Sequence, residues 1–491
     1  MSALQQLAGQ TAIYGFSSIF GRLLNYLLVP LYTYTFSAEQ YGVVTEFYAY
    51  SGFFAVLLVF GLETGYFRFR HNKPEYQAER VYASALSFIV LLTGVFLALL
   101  HGNQAWLATE LGYADNPLYL QWFAAILALD ALSALPFAKL RADNRALRFA
   151  GIKLLEIVLS IGLNLGFLVF WPALLARYPD MALAGWYNPD FGVGYIFIAN
   201  LIASTIKCLL LLPQLRGVPV CVPDRLLAAL LRYSGPMVII GFAGMVNEML
   251  DRVLLKQYLP YDAATNLKML GIYGACYKLA MLMSLFVQAF RYAGEPFFFR
   301  MAGHRQARTD YARVMTLFVI AGCVIFLGVT LYLPWFQYFI GPEYRAGLTV
   351  VPILLMANLL LGVYVNLSLW YKLSDRTLLG AGVSLLGALL TVVLNLAWIP
   401  RFGYVGSAWA TLLSYGAMVL ISWVLGRVFY PVPYPLLRLV FYPILTLGLY
   451  RVQPILAAEL PFWLSGLALI VVFCVVVLLL ERKFRLAKVY A

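Results

Sequence analysis

Long apolar runs of about twenty residues alternate with short polar stretches from one end of the chain to the other. A bilayer core takes roughly 20 apolar residues per helical crossing. Fourteen such runs can be marked, at 12–36, 41–62, 82–101, 118–137, 150–171, 193–213, 234–257, 271–290, 314–333, 347–369, 379–398, 404–426, 436–452 and 462–480. Proline marks many of their borders, as at Pro117, Pro136, Pro172, Pro213, Pro334 and Pro400. A transmembrane β-barrel would show alternating segments of about ten residues. These runs are continuous and about twice as long, so the pattern predicts an all-α integral membrane protein with about fourteen transmembrane helices. The first run is too long for a cleavable signal peptide and contains Arg22, so it is expected to be a span of the mature protein.

Composition narrows the function classes. The chain has 491 residues, 63% hydrophobic and 12% charged, against about 25% charged in soluble proteins. That excludes a soluble enzyme and a disordered protein. The net charge of +13 does not point to nucleic acid, because the positive charges sit in short loops. One set of alternate loops, with the tail, holds 24 of the 35 Lys and Arg residues, and the opposite set holds only Arg177, Lys268, Arg345 and Arg401. The positive-inside rule puts the rich set in the cytoplasm, and an even span count puts both termini there. The five cysteines are scattered without a CxxC pair, and the three histidines are far apart, so neither a zinc site nor a disulfide framework is indicated.

A repeat runs through the chain. A shift of 232 residues places Tyr41-Gly42 on Tyr273-Gly274, Phe54 on Phe286, Glu63 on Glu295 and Phe67-Arg68 on Phe299-Arg300. Six helices per copy is an even number, so the second copy re-enters from the same side and the repeat is parallel. The expected organisation is two six-helix lobes, 1–215 and 216–430, followed by two extra helices and a cytoplasmic tail at 431–491. Two lobes around a central space is the build of an alternating-access transporter.

Ionisable residues at bilayer depth cost several kcal/mol and face protein or water. They concentrate in the first eight spans. Arg22, Glu46, Asp130, Lys153, Glu156 and Lys207 precede a dense group on the seventh span, Glu248, Asp251, Arg252 and Lys256, and Lys278 follows on the eighth. Spacing of i, i+3 and i+4 places Glu248, Asp251 and Arg252 on one side of their helix. Two readings stand together. One is ion pairing between helices or along one, such as Asp251 with Lys278 or Lys153 with Glu156. The other is a cationic cavity in which Arg22, Lys207, Arg252, Lys278 and Arg291 contact phosphates, Arg being suited to grip two oxygens at once. Glu46, Asp130, Glu248 and Asp251 are the candidates for coupling or gating, with a proton or a sodium ion as the coupling ion; no other cofactor is expected.

Several stretches resemble one family. Gly15-Phe16-Ser17-Ser18 through Gly21-Arg22-Leu23-Leu24 to Leu28-Val29-Pro30-Leu31-Tyr32-Thr33 forms the first, and Phe36-Ser37-Ala38-Glu39-Gln40-Tyr41-Gly42 the second. Leu270-Gly271-Ile272-Tyr273-Gly274, Ile340-Gly341-Pro342-Glu343-Tyr344 and Ile399-Pro400-Arg401-Phe402-Gly403-Tyr404-Val405-Gly406-Ser407-Ala408 complete the set. In this order they resemble the Wzx-type polysaccharide biosynthesis flippases of the multidrug/oligosaccharidyl-lipid/polysaccharide exporter superfamily. The resemblance implies a non-enzymatic flippase in a bacterial cytoplasmic (inner) membrane. It would carry polyprenyl-pyrophosphate-linked oligosaccharide from the cytoplasmic to the outer leaflet for O-antigen- or capsule-like surface polysaccharide. Its partners would be the lipid-linked oligosaccharide, the bilayer and other polysaccharide assembly proteins, not nucleic acid. The alternatives are a lipid II flippase, a cation-coupled multidrug exporter of the same superfamily, and a membrane enzyme such as an O-antigen polymerase. The polymerase fits least, because the longest outer loop is short and no DxD motif occurs.

Overall fold

The computed structural model describes residues 20–72, 77–180, 187–216, 224–301 and 306–489, with 185, 218 and 304. Among these the regular structure is helical throughout. Residues 20–26 lead into α1 (Leu28–Thr35). There follow α2 (Ala38–Val59), α3 (Leu62–Asn72), α4 (Ala78–Gly102), the short α5 (Gln104–Glu110), α6 (Leu118–Ala142), α7 (Ala146–Leu165) and α8 (Trp171–Arg177). Then come α9 (Gly194–Leu215), α10 (Arg225–Tyr258), α11 (Ala263–Met301), α12 (Ala307–Thr330) and the short α13 (Leu333–Phe336). The last are α14 (Val350–Leu367), α15 (Leu369–Leu373), α16 (Thr377–Phe429), α17 (Leu436–Glu459) and α18 (Phe462–Val489).

Local chemistry sets the boundaries. Ser37 and Gln40 form a capping box at the start of α2, each side chain accepting from the other's backbone N–H. The helix stops at Phe60 and Gly61, both with positive φ. Asp224 accepts from the Leu227 amide at 2.9 Å and caps α10. Asp262 does the same for α11, accepting from the Thr265 amide at 3.0 Å and its hydroxyl at 2.7 Å. These bonds hold the Asp262 carboxyl below its ordinary range. Between α7 and α8 the helix loosens into a π turn over Gly166–Phe170. Pro172, which has no N–H to give the ladder, follows directly.

Among the described residues, twelve segments are long and apolar enough to cross a membrane. One of them, α16, has 53 residues and breaks at Gly403, whose φ of 60° and ψ of −146° are not helical. It therefore holds two crossings, the predicted pair 379–398 and 404–426. The first predicted span, 12–36, is represented by residues 20–26 and α1, its earlier part lying outside the described residues. Thirteen of the fourteen predicted spans thus have a helical crossing among the described residues, and the first is covered only from residue 20 on. The protein is an all-helical, multi-pass membrane protein.

Contacts divide the chain into two compact units, Met1–Gly271 and Ile272–Ala491. The division falls within α11 and groups α10 with the first unit. In the first unit α9 lies between α6 and α7, and α10 runs along α2 and α3. Phe137, Leu140, Phe149, Ile152 and Leu211 close one end of that bundle. Near the start of α2 the start of α11 crosses very closely. A Cβ on Gly42 would overlap the Leu267 carbonyl, and one on Gly271 would overlap the Ala38 carbonyl. In the second unit α14 packs on α16, and α12 packs on α14, α17 and α18. Trp370, Tyr371, Tyr415 and Met418 form the core there.

Candidate functional site

Among the ion pairs described in the first unit, two networks are built around the buried Lys207 and the buried Glu46. The first joins three helices. Lys207 on α9 is 3% exposed. Its ammonium sits 2.5 Å from Asp130 Oδ1 on α6 and 2.6 Å from Glu156 Oε1 on α7. Ser204, one turn earlier, donates to the same Asp130 oxygen at 2.9 Å. Lys153 approaches the other Glu156 oxygen at 3.4 Å, the local pair that i, i+3 spacing predicts. Polar contacts continue beyond, with Ser160 on Asn200 at 3.1 Å and Asn200 on the Tyr48 hydroxyl at 3.4 Å. Asp130 is the accessible member, its side chain 47% exposed.

The second network surrounds Glu46, which is fully buried. Lys256 on α10 donates to both its oxygens, at 2.9 and 2.7 Å, and to the Leu111 carbonyl at 2.6 Å. The Tyr113 hydroxyl donates to Glu46, and the Tyr113 ring lies under the Lys256 ammonium at 4.4 Å. A carboxylate removed from water needs this degree of satisfaction. One network thus ties α2, α10 and the turn after α5 together.

The remaining predicted site residues are placed as follows. Arg252 and Asp251 are both buried on α10. The Arg252 guanidinium donates to the Glu248 carbonyl at 2.6 Å and to Asp251 Oδ1 at 3.3 Å. Glu248 itself is exposed, so the stripe read from the sequence divides between a buried and an accessible edge. Arg22 is exposed, Lys278 half-buried and Arg291 exposed. At the other end of α2 the basic loop residues are paired with acids: Arg70 with Asp143 at 2.8 Å, Arg141 with Glu63 at 2.6 Å, Lys139 with Glu79 at 2.9 Å and Arg80 with Asp224 at 3.1 Å. Among the described residues no cluster of His, Cys, Asp and Glu is arranged to hold a metal.

The second unit offers a different feature. A groove of about 400 Å³ opens between α12, α14, α16 and α17. Val319, Leu359, Val363, Gly416, Val419, Trp423, Leu439 and Pro443 are among its walls, and no charged side chain lines it. Its size lies in the range of small-ligand sites, and its lining suits hydrocarbon. Sequence reasoning gave no sign of it, because its walls come from four separate helices.

Residues 7–302 match the model of the family described as polysaccharide biosynthesis protein. The chain belongs to that family. No curated protein sequence matches it. Among solved structures, the lipid II flippase MurJ in an inward closed conformation is similar with a TM-score of 0.71 at 13% identity, over 94% of this chain and 97% of that one. A MATE family multidrug resistance transporter of the MOP superfamily, in an outward-facing conformation, gives 0.60 at 14% identity over 87% and 98%. The Vibrio cholerae MATE transporter VcmN in the bent form gives 0.53 at 16% identity over 87% and 99%. At these identities the likeness is one of fold. Family and fold together are those of membrane transporters and flippases.

Proposed function

We propose that this family member is a flippase for polyprenyl-diphosphate-linked oligosaccharide. It moves the glycolipid from the cytoplasmic to the outer leaflet of a bacterial cytoplasmic membrane, with both chain termini on the cytoplasmic side. The observation that carries this reading is the uncharged apolar groove of the second unit, in a chain of the polysaccharide biosynthesis family. A cargo with a long hydrocarbon tail gives such a groove an occupant. The diphosphate calls for cations at membrane depth, and Arg22, Arg252, Lys278 and Arg291 are the candidates to meet it. Of the predicted set, Lys207 is engaged by Asp130 and Glu156, and Arg252 by Asp251 and the Glu248 carbonyl. Movement follows alternating access between the lobes 1–215 and 216–430, with residues 431–491 supplying part of the groove. No covalent chemistry is involved.

The test is made in cells lacking the protein, by mass spectrometry of extracted polyprenyl-linked glycans. A finished repeat unit accumulating on its lipid, with loss of the surface polymer, is expected. Unchanged glycolipids with new sensitivity to cationic drugs would replace this reading with multidrug export. Accumulated lipid II would replace the cargo.

A further inference from the structure

The Asp130–Glu156–Lys207 network has the form of a cation site whose cation is built in. An ammonium has three donors, and three oxygens surround this one: Asp130 Oδ1 at 2.5 Å, Glu156 Oε1 at 2.6 Å and Ser204 Oγ at 3.5 Å. They come from α6, α7 and α9, so the bundle itself holds them together. Lys207 lies 13 residues beyond the start of α9, about 20 Å along the helix at 1.5 Å per residue. At that depth two carboxylates side by side need a compensating charge. Other titratable groups near the ammonium are Lys153 on the far Glu156 oxygen, Tyr48 on α2 and Cys208 beside it on α9. Lys153 and Lys207 together balance Asp130 and Glu156.

We propose that Lys207 is a tethered cation that sets the ion specificity of the first unit: its ammonium fills the seat between Asp130 and Glu156 that a free sodium or potassium ion would take. A free ion must shed its water at every binding event, whereas Lys207 is desolvated once, on folding. The network therefore binds no alkali cation. Half-exposed Asp130 is the member of the three that solvent reaches most readily. This is a statement about ion binding and stands whatever cargo the protein carries.

The experiment is thermal unfolding of the purified full chain in lipid nanodiscs. Sodium or potassium chloride is compared with choline chloride at constant ionic strength. The wild-type midpoint is expected to be the same in all three salts. Lys207→Met vacates the seat, so its midpoint is expected to fall in choline and to recover in a saturable way as sodium replaces choline. Adding Asp130→Asn to that variant should abolish the sodium response. If Lys207→Met does not fold in choline, its folded yield after extraction in sodium is compared with that in choline, and a higher yield in sodium is expected. A saturable sodium response in the wild-type protein overturns the proposal. So does a Lys207→Met variant whose midpoint and yield are indifferent to sodium.

Discussion

The two units solve the problem of living in a bilayer in opposite ways. The first is threaded by charge: Glu46, Asp130, Glu156, Lys207, Asp251 and Arg252 all sit within or between its helices. The second buries polar groups of a milder kind, such as Asn395 with Ser407 at 2.7 Å, and leaves an apolar groove. Charged pairs in a membrane hold helices in a fixed register, because separating them exposes each partner to hydrocarbon. An uncharged groove imposes no register and accepts a chain that slides. The difference teaches where to look for each task. On the proposed reading, ion handling falls to the first unit and the hydrocarbon part of the cargo to the second.

The contrast is broken most severely by removing a charge from the first unit. Lys256→Met leaves the fully buried Glu46 with only the Tyr113 hydroxyl and its other polar neighbours. The cost expected for a buried ion left alone is about 3–5 kcal/mol. Unfolding in lipid nanodiscs should show that loss, and adding Glu46→Gln should return most of it. A Lys256→Met protein as stable as wild type would mean that the pair is incidental.

Sterics at the crossing of α2 and α11 come next. Gly271→Leu drives a side chain into the Ala38 carbonyl, and overpacking of this kind costs about 1–3 kcal/mol. The same stability measurement checks it, and Gly244→Leu is the control, since nothing lies near a Cβ there. The smallest effect is at the basic rim. Arg80, whose side chain is 64% exposed, pairs with Asp224 at 3.1 Å. Arg80→Ala should cost about 1 kcal/mol or less, and less still in high salt.

Much of this was legible in the sequence, for reasons that are local. Span positions follow from run length, and the Lys153–Glu156 pair follows from helix spacing. Two predicted spans merged into α16, because helical hydrogen bonding continues up to and past the break at Gly403. What could not be read is where distant residues meet. Lys207 reaches Asp130 across 77 positions and Lys256 reaches Glu46 across 210. No periodicity encodes either contact. Tyr113 lies in a turn with no motif of its own, yet completes the Glu46 network. Charge and depth alone suggest a phosphate ligand at Lys207, and only the folded bundle brings its two carboxylates into view.

Transport of a polyprenyl-linked glycan whose tail uses the groove is tested most directly in vesicles containing the purified protein and a fluorescent polyprenyl-diphosphate oligosaccharide. The measured quantity is the rate at which label crosses from one leaflet to the other. Protein-dependent transfer is expected, reduced by about tenfold, or about 1.4 kcal/mol of barrier, in Gly416→Trp, which fills the groove. No transfer of the glycolipid, in vesicles where the same protein pumps a cationic dye, would contradict it.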